Sequence, residues 1–179
     1  AFRIAANFAV SQPANGQVLV VNGSKDIVWT CGGTAVTLVN LYYSTNGGTG
    51  YTPIQAGVAN SGTFPWTVPD AICTSGKVKV ADPNNAAAFA ESAGLFKIQG
   101  SLALSSPNLG TESWNVGTSY PVTWTKQGSI AAVNIYYAPN GVDYVKVNPT
   151  AITASELTWD WAIDESTSLT AGFAGLVKI

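Results

Sequence analysis

Phe96-Lys-Ile-Gln-Gly-Ser-Leu-Ala-Leu-Ser-Ser-Pro107 reads without a gap over Phe2-Arg-Ile-Ala-Ala-Asn-Phe-Ala-Val-Ser-Gln-Pro13. Phe, Ile, Ala, Ser and Pro recur at the same places, with Lys97 over Arg3 and Leu102 over Phe8. The chain therefore carries an internal repeat of period near 94, which must be settled before any function is argued. Working outward, Gly16 and Gly23 match Gly110 and Gly117, and Trp29 matches Trp124. Tyr42-Tyr43 matches Tyr136-Tyr137, Gly47 matches Gly141, and Trp66 with Val68 matches Trp161 with Ile163. Short insertions separate these blocks, as surface loops allow.

Within each copy, runs rich in Val, Ile, Thr, Tyr and Trp alternate with turn signals such as Asn15-Gly16, Asn22-Gly23, Asn46-Gly47-Gly48 and Asn140-Gly141. Asp26-Ile-Val-Trp-Thr30, Val36 to Tyr43, Lys77-Val-Lys-Val80, Pro121-Val-Thr-Trp-Thr125 and Val133-Asn-Ile-Tyr-Tyr137 are such runs. Short β-branched and aromatic segments at this spacing predict an all-β sandwich. The alanine-rich stretch from Asn84 to Ala90 is the one place with any helical leaning, and it reads as a loop between strands.

The register of the repeat does not close. The first copy runs from Phe8 through a penultimate strand at Lys77–Val80 to a last strand at Leu95-Phe-Lys-Ile98. In the second copy Gly175-Leu-Val-Lys-Ile179 aligns with Gly76-Lys-Val-Lys-Val80, and the counterpart of Phe96-Lys-Ile98 stands at the head of the chain as Phe2-Arg-Ile4. The expected organisation is a donor strand at 1–6, a first sandwich at 7–99 and a second, incomplete one at 100–179. Ala1 to Ala5 (Ala1, Phe2, Arg3, Ile4, Ala5) are the candidate donor residues, and Leu176, Val177, Lys178 and Ile179 the candidate acceptor strand. A chain so built is complementary to a copy of itself.

Composition narrows the chemistry. The 179 residues are 46% hydrophobic but only 10% charged, against roughly 25% in an average domain, and no apolar run approaches the ~20 residues of a membrane helix. A membrane span is not expected. Eight scattered Lys and Arg and a net charge of −2 give no basic patch for a phosphate backbone, so nucleic acid is not an expected partner. There is no His, which removes Ser-His-Asp and Cys-His catalysis and His-based zinc sites. No enzyme activity, cofactor or metal is expected.

Ser106-Pro-Asn-Leu-Gly-Thr-Glu-Ser-Trp-Asn-Val-Gly-Thr118, followed by Val122-Thr-Trp124, resembles the sandwich repeats of prokaryotic surface proteins and the related Ser/Thr-rich, GPI-anchored cell-wall family of fungi. Copy one carries the same pattern as Gln12-Pro-Ala-Asn-Gly16, Ile27-Val-Trp29, Tyr43-Ser-Thr-Asn-Gly47 and Trp66-Thr-Val-Pro69, with Val20 in place of the early Trp. Copy two lacks the Pro after Ile163. The resemblance covers nearly the whole chain. It implies two tandem immunoglobulin-like β-sandwich domains of a cell-surface protein, and no catalytic residues. The spare first strand resembles the assembly mode of donor-strand-complemented pili.

Candidate sites have plain readings beside them. Six tryptophans could form a sugar platform, but Trp29 with Trp124 and Trp66 with Trp161 fall at equivalent strand positions and are expected in two cores, while Trp114 and Trp159 stay open. One ring of each Tyr pair is expected outside. Cys31 and Cys73 are expected to form a disulfide that closes a loop of about 40 residues and adds about 3 to 4 kcal/mol. Asp160, Asp164 and Glu165, and Asp82 near Asn84 and Asn85, read as solvated loops, with calcium or glycosidase sites the sharper alternatives. Asn22-Gly-Ser24 is a glycosylation sequon with Asn22 as acceptor, whereas Pro149 blocks Asn148-Pro-Thr150. Ala1 fits a position after a signal-peptidase site.

Two functions follow. The first is a secreted structural subunit of an extracellular filament or pilus, polymerising head-to-tail by insertion of its N-terminal strand into a neighbour, with adhesion or biofilm cohesion as its setting. The second is a section of a long repetitive adhesin or wall-anchored protein, in which Phe2-Arg-Ile4 closes a preceding repeat. A carbohydrate-binding module, with surface polysaccharide as partner, is a third.

Overall fold

Side-chain alternation sets the faces of each strand. In Ser24–Gly32, Ile27 and Trp29 are buried while Asp26 and Thr30 face water, the period of two expected of a strand with one wet face. The computed structural model describes residues 6–33, 35–164 and 175–179. Contacts divide the chain into two compact units, Ala1–Gly100 and Ser101–Ile179.

Unit one holds β1 (Asn7–Gln12), β2 (Val18–Val20), β3 (Ser24–Gly32), β4 (Leu38–Ser44), β5 (Thr52–Ala59), β6 (Thr63–Thr67), β7 (Cys73–Asp82), β8 (Asn85–Glu91) and β9 (Phe96–Gln99). One sheet has the order β1-β3-β6, the other β2-β9-β7-β4-β5 with β8 on β7. Phe8, Ile27, Trp29 and Trp66 from the first sheet meet Leu19, Val39, Leu41, Val78, Val80, Phe96 and Ile98 from the second in one core. Burying side chains of this size contributes about 1.5 to 3 kcal/mol each. The indole N–H of Trp29 donates to Asn60 Oδ1 at 2.7 Å, so the polar atom of this buried ring is satisfied.

Unit two holds β10 (Ser101–Ser106), β11 (Thr118–Gln127), β12 (Ala132–Val133), β13 (Tyr136–Ala138), β14 (Val145–Lys146), β15 (Ile152–Thr153), a 3-10 turn at Ala154–Glu156, β16 (Thr158–Ile163) and β17 (Leu176–Lys178). Its ladders are β10-β11-β16, β12-β15 and β14-β13-β17. Val122, Trp124, Trp161 and Ile163 pack on Val133, Ile135 and Ile152, and Trp124 Nε1 donates to the Ala154 carbonyl at 3.3 Å.

The pairings of the β1-β3-β6 sheet and of its counterpart β10-β11-β16 match residue by residue. Val10 faces Trp29 and a bulge follows before Gln12, while Leu104 faces Trp124 and a bulge follows before Ser106. Lys25 faces Trp66 and Tyr120 faces Trp161. Gly47 and Gly141 both sit at positive φ, 73° and 72°, where a Cβ would be strained, which is why each turn carries glycine after asparagine. The chain is thus all-β, two tandem immunoglobulin-like sandwiches, and among the described residues the second has no strand corresponding to β9.

Two expectations need correction here. The segment read as a loop at 84–90 is largely β8: Asn84 N donates to Asp82 Oδ1 at 2.8 Å to make the turn, and Ala81 faces Phe89 across the hairpin. Pairing with β7 and burial of Ala88 override the weak strand propensity of alanine. The run Val133–Tyr137 is broken between β12 and β13, because the buried side chain of Asn148 accepts from Ile135 N at 2.6 Å where a strand partner would.

Candidate functional site

In unit one, the outer edge of β7 is covered by two strands, β9 along Cys73 to Gly76 and β8 along Lys79 to Asp82. Phe96 lies opposite Gly76 and Ile98 opposite Cys73, and both side chains are buried, as are Val78 and Val80 of β7. On its other side β9 runs parallel to β2, with Val18 opposite Lys97 and Val20 opposite Gln99. Flanking bonds extend this seam: Gly16 N donates to Leu95 O at 2.8 Å, Lys97 N to Gln17 O at 2.8 Å, and Val21 N to Gln99 O at 2.9 Å.

Unit two repeats this arrangement up to β17 and no further among the described residues. Tyr136 faces Lys178, Tyr137 faces Val177 and Ala138 faces Leu176, the same register as Tyr42 with Lys79, Tyr43 with Val78 and Ser44 with Lys77. Val177 and Ile179 thus stand where Val78 and Val80 stand, yet they are only half-buried, and Leu176 is 47% exposed. Residues 111–115, at the place of β2, are in no strand, since the strand that β2 pairs with has no described counterpart here. Among the described residues only β13 pairs with β17, and a sheet edge without a partner offers its backbone groups to a strand of extended chain.

Aromatic side chains occupy the neighbourhood. Trp114 stacks on Tyr120 at 4.8 Å and meets Trp161 edge-on at 5.9 Å, and Tyr137 meets Trp161 at 5.1 Å. Below them the Glu112 carboxylate accepts from the backbone N–H groups of Leu109 (2.8 Å), Asn108 (2.7 Å) and Thr111 (3.1 Å). These donors, Leu109 first, hold its carboxyl down to about 2. On the outer face Lys178 lies 3.8 Å from the ring centre of Tyr144 and 5.4 Å from that of Tyr136, as Lys79 lies 4.0 Å from Tyr51 and 4.9 Å from Tyr42. Sequence reasoning missed the roles of Trp114, Glu112 and these lysines, although the matched Lys79 and Lys178 opposite matched tyrosines were a readable signal.

The candidate acceptor residues Leu176 to Ile179 form β17 and the residue after it, while the candidate donor, Ala1 to Ala5, lies outside the described residues. The disulfide needs correction. Cys31 and Cys73 are both unpaired thiols. Cys73 opens β7, and Asp82 at the other end of that strand shares a depression with Gly32 and Gly33 beside Cys31. Nine strand steps separate Cys73 from Asp82, about 30 Å, whereas a disulfide needs Cα atoms within about 7 Å. The two cysteines thus sit at opposite ends of the sandwich, not at neighbouring ends. Mass spectrometry of the protein denatured without reductant and treated with a maleimide should show two adducts per chain; an unmodified mass would restore the bond.

Other candidates are placed as follows. Trp29, Trp66, Trp124 and Trp161 are buried, as expected of two cores, and Trp114 and Trp159 are half-buried. The expectation of one outside ring in each tyrosine pair needs correction: all four are half-buried, Tyr43 and Tyr137 packing on the cores and Tyr42 and Tyr136 each lying under a lysine. Asn22 is exposed on the turn before β3 with φ of 63°, accessible to a glycan. Asp160 and Asp164 line a groove of about 460 Å3 with Lys146 and Trp159, Glu165 lies outside the described residues, and Asp82, Asn84 and Asn85 line the depression near Gly32. No group of three or more His, Cys, Asp or Glu able to hold a metal occurs among the described residues. Nor is any described helix long and apolar enough to cross a membrane.

The fold and the open edge define an all-β, immunoglobulin-like tandem protein. Among solved structures the chain is similar to the fibronectin(III)-like modules of CbhA from Clostridium thermocellum, at 12% identity and a TM-score of 0.31, covering 86% of this chain and 77% of that one. No family model and no curated protein matches it.

Proposed function

We propose that this protein is a structural, non-enzymatic subunit of an extracellular filament, in which residues 1–6 of one copy add as a strand at the start of the β17 edge of the next, beside Gly175, and complete its second sandwich. One observation carries the reading: β9 pairs with β7 at Cys73 and Gly76, just before the stretch that β17 repeats, no described strand stands there in unit two, and the sequence of β9, Phe96-Lys-Ile98, recurs as Phe2-Arg-Ile4. By that register Phe2 and Ile4 take the buried places of Phe96 and Ile98. Burying each is worth about 1.5 to 3 kcal/mol, and every ladder hydrogen bond adds about 1 kcal/mol net. Strand addition to a sheet edge is an established recognition mode.

Donor and edge are different surfaces, so the contact is heterologous and propagates as an open fibre unless the rotation closes a ring. Charge adds a little. Residues 1–98 carry five basic and four acidic side chains, and 101–179 three and six, a modest attraction that salt screens. Surface polysaccharide, and adhesion or biofilm cohesion, belong to this reading only as its setting.

Electron microscopy of native material, paired with intact-mass measurement, tests it. The expected result is filaments whose denatured subunit has a mass near 18.5 kDa. A much larger covalent mass would mean that the strand beside β17 comes from the same long chain, the tandem-repeat surface protein or adhesin, and would remove the polymer of separate subunits.

A further inference from the structure

Among the described residues no strand of unit two corresponds to β9, and the groups that cover its core differ from those of unit one. Trp161 is only 5% exposed, as its counterpart Trp66 is 4% exposed. Trp66 owes this in part to Phe96, which meets it edge-on at 6.2 Å and 73°. The corresponding edge-on contact on Trp161 is made by Trp114, at 5.9 Å and 76°. Trp114 belongs to the segment equivalent to β2, where the first copy has Val20, a residue that is paired with Gln99 and 36% exposed.

A second substitution agrees with the first. In unit one the ring that rests against Gly76, leaving no room for a Cβ, is Phe96. In unit two the ring against the equivalent Gly175 is Tyr137. Tyr137 lies nearer its tryptophan than Tyr43 does, 5.1 against 5.7 Å, and more steeply inclined, 62° against 37°. Both contacts that Phe96 makes in the complete sandwich are thus made, in the incomplete one, by aromatics from neighbouring strands or segments.

Resting on the donor-strand reading above, we propose that Trp114 and Tyr137 form a removable plug in the acceptor groove of unit two. The plug protects Trp161 from water in the unassembled subunit and has to leave when Phe2 of another copy arrives. Trp114 then turns outward to the place of Val20, and residues 112–114 become a strand parallel to the donor, as β2 is to β9. Glu112 holds the turn at one end of this segment, and Asn115 N, which donates to Tyr120 Oη at 2.9 Å, holds the other. The moving part is confined between them. Such a plug keeps the groove from exposing apolar surface, and it makes strand entry conditional on displacement, which slows unwanted self-association.

The test uses the full chain with Phe2→Asp and Ile4→Asp, which removes its own donor, and a synthetic peptide of residues 1–6 as the probe. If the plugged state dominates and the open one is populated at about 0.1 to 10%, the apparent Kd is raised by about ten- to a thousandfold. Trp114→Val, which installs the side chain of the first copy, should then bind the peptide at least about tenfold more tightly. Equal or weaker binding by Trp114→Val overturns the plug while leaving donor insertion in place; no peptide binding by either protein overturns the donor-strand reading and the plug with it. Should Trp114→Val fail to fold, the indole N–H resonance of Trp114 in the Phe2→Asp, Ile4→Asp protein is followed on peptide addition. A shift with increased acrylamide accessibility of that ring supports displacement, and an unmoved, still protected ring refutes it.

Discussion

The full chain carrying Phe2→Asp and Ile4→Asp is expected to sediment as a monomer at concentrations where the unaltered protein forms fibres. Two losses act together. The apolar burial of two side chains, about 3 to 6 kcal/mol in sum, disappears, and each new carboxylate must be desolvated against Val177, Ile179 and the aromatics around Trp161. Since 1.4 kcal/mol is a factor of ten, the lost burial alone weakens the junction by about a hundredfold to ten-thousandfold. Arg3→Glu is the internal control. Its counterpart in β9, Lys97, is exposed, so by register this side chain faces water and the change should leave assembly intact apart from a small salt-dependent shift. Sedimentation velocity and electron microscopy read all three proteins. Fibres of normal length from the double Asp variant would refute the donor role, and failure of Arg3→Glu alone would point to an electrostatic contact of another kind.

The sandwich architecture was legible because the features that set it are local and repeated. Paired tryptophans at Trp29 and Trp124, glycine turns at Gly47 and Gly141, and the Phe-x-Ile pattern each recur at one spacing, and the strand ladders follow that spacing through to the bulges at Gln12 and Ser106. What stayed hidden depends on long-range placement. Asn85–Glu91 is a strand because β7 pairs with it, not because its alanines favour one. Cys31 and Cys73 looked like neighbours from their strand ends, but β3 and β7 lie in opposite sheets with those two ends at opposite poles of the sandwich. Asn148 breaks a strand through a side-chain bond to Ile135 that no pattern in the sequence announces. Leu176–Ile179 could be aligned with β7, whereas the covering of Trp161 by Trp114 could not be read, because it comes from a side chain of a segment that forms a strand in the first copy.

Gly76→Ala is expected to destabilise unit one more than almost any other single-methyl addition in the chain. Gly76 has no positive φ, so its need for glycine is steric alone: the added Cβ would overlap Cε2 and Cδ2 of Phe96. Phe96 cannot yield easily, since its ring is fully buried and lies against Trp66. Overpacking at such a site costs about 1 to 3 kcal/mol. For a domain of this size that lowers Tm by roughly 4 to 8 °C per kcal/mol. Amide hydrogen exchange across β7 and β9 locates the loss in unit one, and Phe96→Leu placed in the Gly76→Ala background should recover part of it by retracting the ring edge. Unaltered stability of Gly76→Ala would mean that the ring does not rest on that glycine. The same glycine stands at Gly175 in unit two, where the ring against it is Tyr137. Gly175→Ala should therefore disturb the unassembled unit through Tyr137 and, if Phe2 follows the path of Phe96, deny the incoming ring its seat. An assembled fibre formed at full strength by Gly175→Ala would place the donor ring elsewhere. A defect in fibre formation larger than the loss of monomer stability would tie the missing Cβ at Gly175 to the arriving strand.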